Sequence, residues 1–259
     1  MLSSLLTSIW RQITGNAAGT PLPAVANDGL PLQSAVRAAI VSLLREPHAF
    51  SNPIDYALIA RFASAASSAD YMVREMMSAQ NLLHNERLLD FALDECLTEG
   101  LIMEFGVYRG KSLNAIAKRV RHDVHGFDSF EGLPQDWTYF QKQGRFSLRG
   151  KAPHFDAPNI RIHKGRFEQT LPRFMADNPG PARFIHIDCD IYASTNTVLQ
   201  MLAPRIVSGS VLVFDEYLNC PGWQQHEFRA FQEFITQSGN RYRYIGFASS
   251  ECAVAVKIL

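Results

Sequence analysis

The chain reads as an α/β protein: a doubly wound, mostly parallel sheet of seven strands with an antiparallel last strand, preceded by a helical N-terminal region. Three observations predict this. From residue 100 onward, short apolar runs alternate with helical stretches, the rhythm of a parallel sheet wrapped by helices. The last two runs are joined only by Ala-Ser-Ser-Glu-Cys, too short for a crossover helix, so those strands must be antiparallel. Between about residues 32 and 99, apolar residues recur at three- and four-residue spacing throughout.

Taken in order, Leu2, Leu5, Leu6, Ile9, Trp10 and Ile13 form the apolar stripe of an amphipathic helix. Arg11 is its only basic residue, so docking on the body or on a second subunit is favoured over a membrane surface. Residues 15–31, rich in Gly, Pro, Ala and Asn, read as a linker and complete an N-terminal segment 1–31. Helices are expected over Gln33–Arg45, Pro53–Ala66, Ala69–Ala79 and Leu82–Leu97, making 32–99 a helical cap or oligomerisation region that Gly100 ends. Residues 100–259 form the sheet domain. Its expected strands are Leu101–Phe105, Val124–Phe127, Ile160–His163, Arg183–Ile187, Val211–Phe214, Tyr242–Phe247 and Ala253–Ile258, with a helix over Gln224–Thr236.

Composition narrows the partner. Of the 259 residues 47% are hydrophobic, and 25 Lys and Arg balance 25 Asp and Glu, so no global basic field exists to hold a nucleic-acid backbone. No run approaches the ~20 apolar residues of a membrane span, and the first residues lack the basic and apolar regions of a signal peptide. Cys96, Cys189, Cys220 and Cys252 show no CxxC pair, which points to reduced thiols in a cytoplasmic protein without disulfides.

The chemistry begins at the end of the first strand, in Glu104-Phe105-Gly106-Val107-Tyr108-Arg109-Gly110-Lys111-Ser112. Ligands of open α/β sheets bind beyond the carboxyl ends of the strands, where glycines let backbone approach closely. Glu104 would repel a pyrophosphate but suits a ligand with a cationic end, such as the amino group and sulfonium of S-adenosylmethionine. Asp128, 22 positions after Gly106 and at the end of the second strand, can accept ribose hydroxyls, or it can cap a turn. Asp188 follows the fourth strand, and Asp215 and Glu216 follow the fifth. Adjacent strand tips would bring these three carboxylates together as hard oxygen ligands for Mg²⁺, Mn²⁺ or Ca²⁺.

The runs EFGVYRGKS, FDSFEGLP, HIDCDIYASTNTVL and FDEY, followed by PGW and HEFRAF, resemble the macrocin O-methyltransferase family of class I S-adenosylmethionine-dependent methyltransferases. That family has a Rossmann-like fold and methylates sugar hydroxyls of antibiotics and related small molecules. The resemblance covers about residues 100–259. It implies that Glu104, Gly106 and Gly110 line the methionine end of the cofactor, with Val107, Tyr108 and Ser112 of the same run also binding it. Asp128 and Ser129 would hold the ribose, and Gly165, Arg166 and Phe167 would border the adenine. Asp188, counted in the cofactor site as well, would join Asp215 and Glu216 around a divalent metal, with Mg²⁺ the first choice. Two positions depart from the family pattern: Glu216 stands where an Asp is usual, and Cys189 where a Gly is usual.

Methyl transfer from a sulfonium needs oxygen, methyl carbon and sulfur in line, and the hydroxyl must lose its proton. Asp188 is the expected base, with His154, or His226, as a histidine alternative. The loop 135–159, with Trp137, Tyr139, Phe140, Phe146 and Phe155, reads either as a lid or as a satellite apolar cluster. Trp223 either faces the pocket or anchors its turn. The acceptor is expected to be a small hydroxylated molecule, a sugar or glycoside, and the protein a homo-oligomer. Two other functions stay open on sequence alone: a nucleotide-sugar glycosyltransferase with a metal clamp at Asp188-Cys189-Asp190, and a non-catalytic binding module of the same fold.

Overall fold

The computed structural model describes residues 56–138 and 141–259. The expected helices near residues 2–13 and 33–45, the linker 15–31, and Pro53, Tyr139 and Phe140 lie outside the described residues. The chain divides into two compact units, Met1–Tyr71 and Met72–Leu259.

Helix α1, Tyr56–Glu75, runs unbroken through residues 67 and 68, where the spacing suggested a gap between two helices. The serines there do not compete with the helix, because Ser64 Oγ donates to the Ala60 carbonyl at 2.8 Å and Ser67 Oγ to that of Ser64 at 3.0 Å.

The second unit is built on an eight-stranded sheet. Its strands are β1 (Gln80–Asn81), β2 (Leu101–Phe105), β3 (Val124–Asp128), β4 (Ile160–Lys164), β5 (Ala182–Ile187), β6 (Val211–Phe214), β7 (Tyr242–Phe247) and β8 (Val254–Ile258). They lie in the order β1-β7-β8-β6-β5-β2-β3-β4, and only β8 runs antiparallel, to both β6 and β7. The expected fold class therefore holds. The addition is β1, a two-residue polar edge strand parallel to β7 with no apolar pattern to announce it.

Strand alternation sorts the side chains onto two faces. On one face, Ile102, Val124, Phe184 and Val213 pack with Leu88, Leu89 and Ala92 of α2 (Asn85–Glu95) and with Leu113 and Ile116 of α3 (Lys111–Arg119). Facing the other side, Phe127 meets Phe174 of α4 (Phe167–Asp177) edge-on at 5.0 Å. Phe214 meets Phe231 of α6 (Glu227–Ser238), also at 5.0 Å. Helix α5 (Tyr192–Leu202) buries Val198, Leu199 and Leu202. Helix α2 contributes four buried residues to the second unit.

Candidate active site

Beyond the carboxyl ends of β2, β3, β5 and β6 opens a cavity of about 700 Å³. The glycine turn shapes one wall. Gly106 has φ +88°, and a Cβ there would stand 1.7 Å from the Asp188 carbonyl oxygen, so the first glycine exists to let two strand ends touch. Gly110, at φ +75°, begins α3 and packs beneath the Phe155 ring. Between them the N–H groups of Val107 and Tyr108 donate to Asp128 Oδ2 at 2.9 and 2.8 Å, and the Phe130 N–H donates to Oδ1 at 2.7 Å. Asp128 thus caps and ties two turns together, and it lines the cavity.

Gly106, Tyr108, Asp128, Ser129, Gly165, Arg166, Phe167, Asp188 and Glu216, among the expected site residues, line the cavity. Val107 is buried and contributes its backbone, and Gly110 and Ser112 sit in the start of α3, outside the lining. Glu104 is displaced from its expected place. Alternation puts it on the Ile102 face, covered by α2 and α3, where it is fully buried and bound to His186 Nδ1 at 2.9 Å. It does not line the cavity.

His154 is a second correction. Its loop is pinned over α3 by Phe155 against Gly110 and by the Asp156 N–H donating to Asn114 Oδ1 at 3.2 Å. This turns the histidine outward, exposed and away from the cavity lining. His226 is also outside the lining, edge-on to Trp137 at 6.2 Å, with burial holding its pKa below the usual value. The long loop divides its aromatics: Phe146 lines the cavity, edge-on to Tyr108 at 5.5 Å, while Phe155 packs against the core. Trp223, 2% exposed and edge-on to Phe228, anchors its turn.

The floor is acidic. One ligand oxygen each from Asp188, Asp215 and Glu216 can be chosen so that all lie within 4.8 Å of one another. Asp190, at φ +64°, and the fully buried Glu227 stand close by, and Glu227 Oε2 accepts the Glu216 N–H at 3.0 Å. Burial, then the neighbouring Asp215, pushes the Asp188 and Glu216 carboxyls well above the usual carboxylate range. The same two causes, with Asp128 added, lift Asp190 to about 7. For the His186 imidazolium burial acts downward, but the neighbouring Asp215 and Glu104 carboxylates prevail and leave its pKa well above the usual value. Glu216 Oε2 and Glu227 Oε1 are buried without a hydrogen-bond partner. Carboxylates packed this closely cannot all stay charged unless a cation joins them, so the donor set fits a divalent metal with oxygen preference.

His186, Asn85 and Glu227 are the site residues that sequence reasoning did not assign, and Asp190 entered it only as part of the alternative Asp188-Cys189-Asp190 clamp. For His186 a signal existed: in His186-Ile187-Asp188 the histidine shares a face with the aspartate, and its register partner on β2 is Glu104. Asn85 arrives from a distant helix and leaves no local trace.

The fold resembles that of class I methyltransferases, in line with the resemblance to the macrocin O-methyltransferase family. A family model described as a methyltransferase domain matches residues 103–217. A Streptomyces olivaceus protein named 8-demethyl-8-(2,3-dimethoxy-alpha-L-rhamnosyl)-tetracenomycin-C 4'-O-methyltransferase is 27% identical over 157 residues, 50% of this chain. The match spans 58% of that relative's length. Among solved structures, CalS11, a calicheamicin methyltransferase, superposes with a TM-score of 0.53 at 22% identity, covering 94% of this chain and 98% of its own. The O-methyltransferase NovP does so with a TM-score of 0.51 at 18% identity, covering 78% and 98%. These two likenesses carry the fold. No helix among the described residues is long and apolar enough to cross a membrane.

Proposed function

We propose that the protein transfers the methyl group of S-adenosylmethionine to a hydroxyl of a sugar, glycoside or related small natural product, with a divalent cation, Mg²⁺ first, at Asp188, Asp215 and Glu216. The observation that carries this reading is that Asp188 and Glu216 line the cavity with an Asp215 oxygen within 4.8 Å of theirs. The cavity's other wall is the glycine turn, Asp128 and Gly165-Arg166-Phe167. The name of the tetracenomycin relative, a methyltransferase acting on a rhamnosyl group, supports the acceptor class.

In this reading Gly106, Tyr108, Asp128 and Ser129 hold the methionine and ribose portions of the donor, and Phe167 and Arg166 border its adenine. Tyr108 and Phe146 give the cavity an aromatic wall against which the apolar face of a sugar can lie. A divalent cation, when bound, supplies Lewis-acid polarisation of the acceptor hydroxyl. Asp188, half-buried at the end of β5, takes the proton from the attacking oxygen. Fixing oxygen, methyl carbon and sulfur in line then supplies a large part of the rate, and the tethered turns provide that rigidity.

The test is calorimetric titration of chelator-treated protein with S-adenosylhomocysteine, with and without Mg²⁺, followed by a glycoside panel scored by mass for a methyl gain. Micromolar binding and a methylated glycoside are expected. Absence of binding under every condition refutes the reading.

A further inference from the structure

Asp215 is held from two sides. Asn85 Nδ2 donates to its Oδ1 at 2.7 Å, and His186 Nε2 lies 3.7 Å from the same oxygen. His186 is in turn fixed through Nδ1 to Glu104 Oε2 at 2.9 Å, in a pair that solvent does not reach. Stability alone does not account for this chain. A buried carboxylate–imidazole pair costs desolvation that apolar residues would avoid, and its neighbours on that face, Ile102 and Phe184, are apolar. The chain of contacts also reaches across three adjacent strands, running from Glu104 on β2 through His186 on β5 to the residue after β6. All these contacts fall on Asp215 Oδ1, leaving Oδ2 for another partner.

We propose that Glu104, His186 and Asn85 are positioning residues that aim Asp215 at the divalent cation. The glutamate opening the glycine motif then serves the metal side of the site and not the cofactor side. This rests on the reading above that a cation binds at Asp188, Asp215 and Glu216. Ligating carboxylates are commonly held by such outer hydrogen bonds, which set their orientation and hence the affinity of the ion.

Three variants test this: Asn85→Ala, Glu104→Gln and His186→Gln. Mn²⁺ affinity and the Mn²⁺ electron paramagnetic resonance spectrum are measured alongside metal-free binding of S-adenosylhomocysteine and thermal unfolding. Loss of an outer partner should weaken Mn²⁺ binding roughly 10- to 100-fold and alter the spectrum, with S-adenosylhomocysteine affinity kept within about twofold. Asn85→Ala, at a half-buried helix start, keeps the test open if a variant of the buried pair fails to fold. Wild-type Mn²⁺ affinity in folded variants overturns the proposal. So does loss of S-adenosylhomocysteine binding in Glu104→Gln with Mn²⁺ binding retained. If the wild-type protein binds S-adenosylhomocysteine but no Mn²⁺, the positioning claim falls while the methyl-donor site stands. If it binds Mn²⁺ with the expected losses but no S-adenosylhomocysteine, the positioning claim stands and the methyl-donor reading falls.

Discussion

Replacing Gly106 by alanine distinguishes two reasons for a glycine at the head of the turn: room for a ligand, or room for another strand. With φ at +88°, an added Cβ would stand 1.7 Å from the Asp188 carbonyl oxygen and 2.6 Å from its carbon. Neither side can yield cheaply. The Gly106 N–H is bonded to the Phe127 carbonyl at 3.0 Å and the Asp188 N–H to that of Phe105 at 2.8 Å, so both strand ends are tied. The left-handed backbone costs a non-glycine residue about 1–2 kcal/mol, and overpacking typically adds about 1–3, so a loss of roughly 2–5 kcal/mol is expected. Urea unfolding of Gly106→Ala against wild type measures it, provided the slope with denaturant is unchanged. Gly110→Ala is the comparison. There the close contact, 2.5 Å, is with the edge of the Phe155 ring, which can rotate, and the loss should stay near the backbone cost of about 1–2 kcal/mol. A Gly106→Ala protein that unfolds at the wild-type midpoint yet loses S-adenosylhomocysteine would refute the packing account and restore ligand approach as the reason for the glycine.

Three further outcomes are expected. Burial first, and His163 at 3.1 Å second, hold His125 down to about 4 from its usual 6.5. The unfolded chain therefore binds more protons between these values, and stability should fall by up to about 3 kcal/mol as pH drops from 6.5 to 4. Melting curves across that range in wild type and His125→Leu measure it, and an equally steep fall in the variant would contradict the assignment. His154→Ala should leave turnover within about twofold, since the side chain is exposed and outside the cavity lining, and a collapse of kcat would return it to the site. Cys252, its thiol pKa lowered chiefly by the hydrogen bond it shares with Cys220, should alkylate before Cys189, whose thiol burial pushes up. Peptide mapping after brief iodoacetamide treatment reads the order, and earlier labelling of Cys189 would sink the prediction.

Much of the sheet could be read from sequence because its strands are buried on both faces, leaving apolar runs with clear ends, Val211–Phe214 unbroken and Leu101–Phe105 interrupted only by Glu104. The carboxylates after those runs were legible for the same reason. An acidic residue directly behind a buried strand has few places to go but the strand tip, and the structure gathers Asp188, Asp215 and Glu216 there. What escaped depends on the third dimension. Gln80–Asn81 pairs through backbone alone, so its side chains carry no periodicity. Glu104 sits in a motif whose spacing suggested ligand contact, yet alternation along β2 points it toward α2. That its partner there is His186 follows only from strand order. His154 sits in a loop whose path is set by where Phe155 packs, which no local pattern encodes.

The route from Asn85 to Asp215 also bears on how this protein can be cut and recombined. The matched methyltransferase domain begins at residue 103, and the change of sequence rhythm at Gly100 invites a chimera joined there. Such a chimera would leave behind the hydrogen bond that Asn85 donates to a carboxylate 130 positions later, together with the helix that covers the sheet beneath it. Modularity in this chain therefore ends upstream of Gln80, and a donor of interchangeable acceptor specificity would need to carry its own first strand and helix with it.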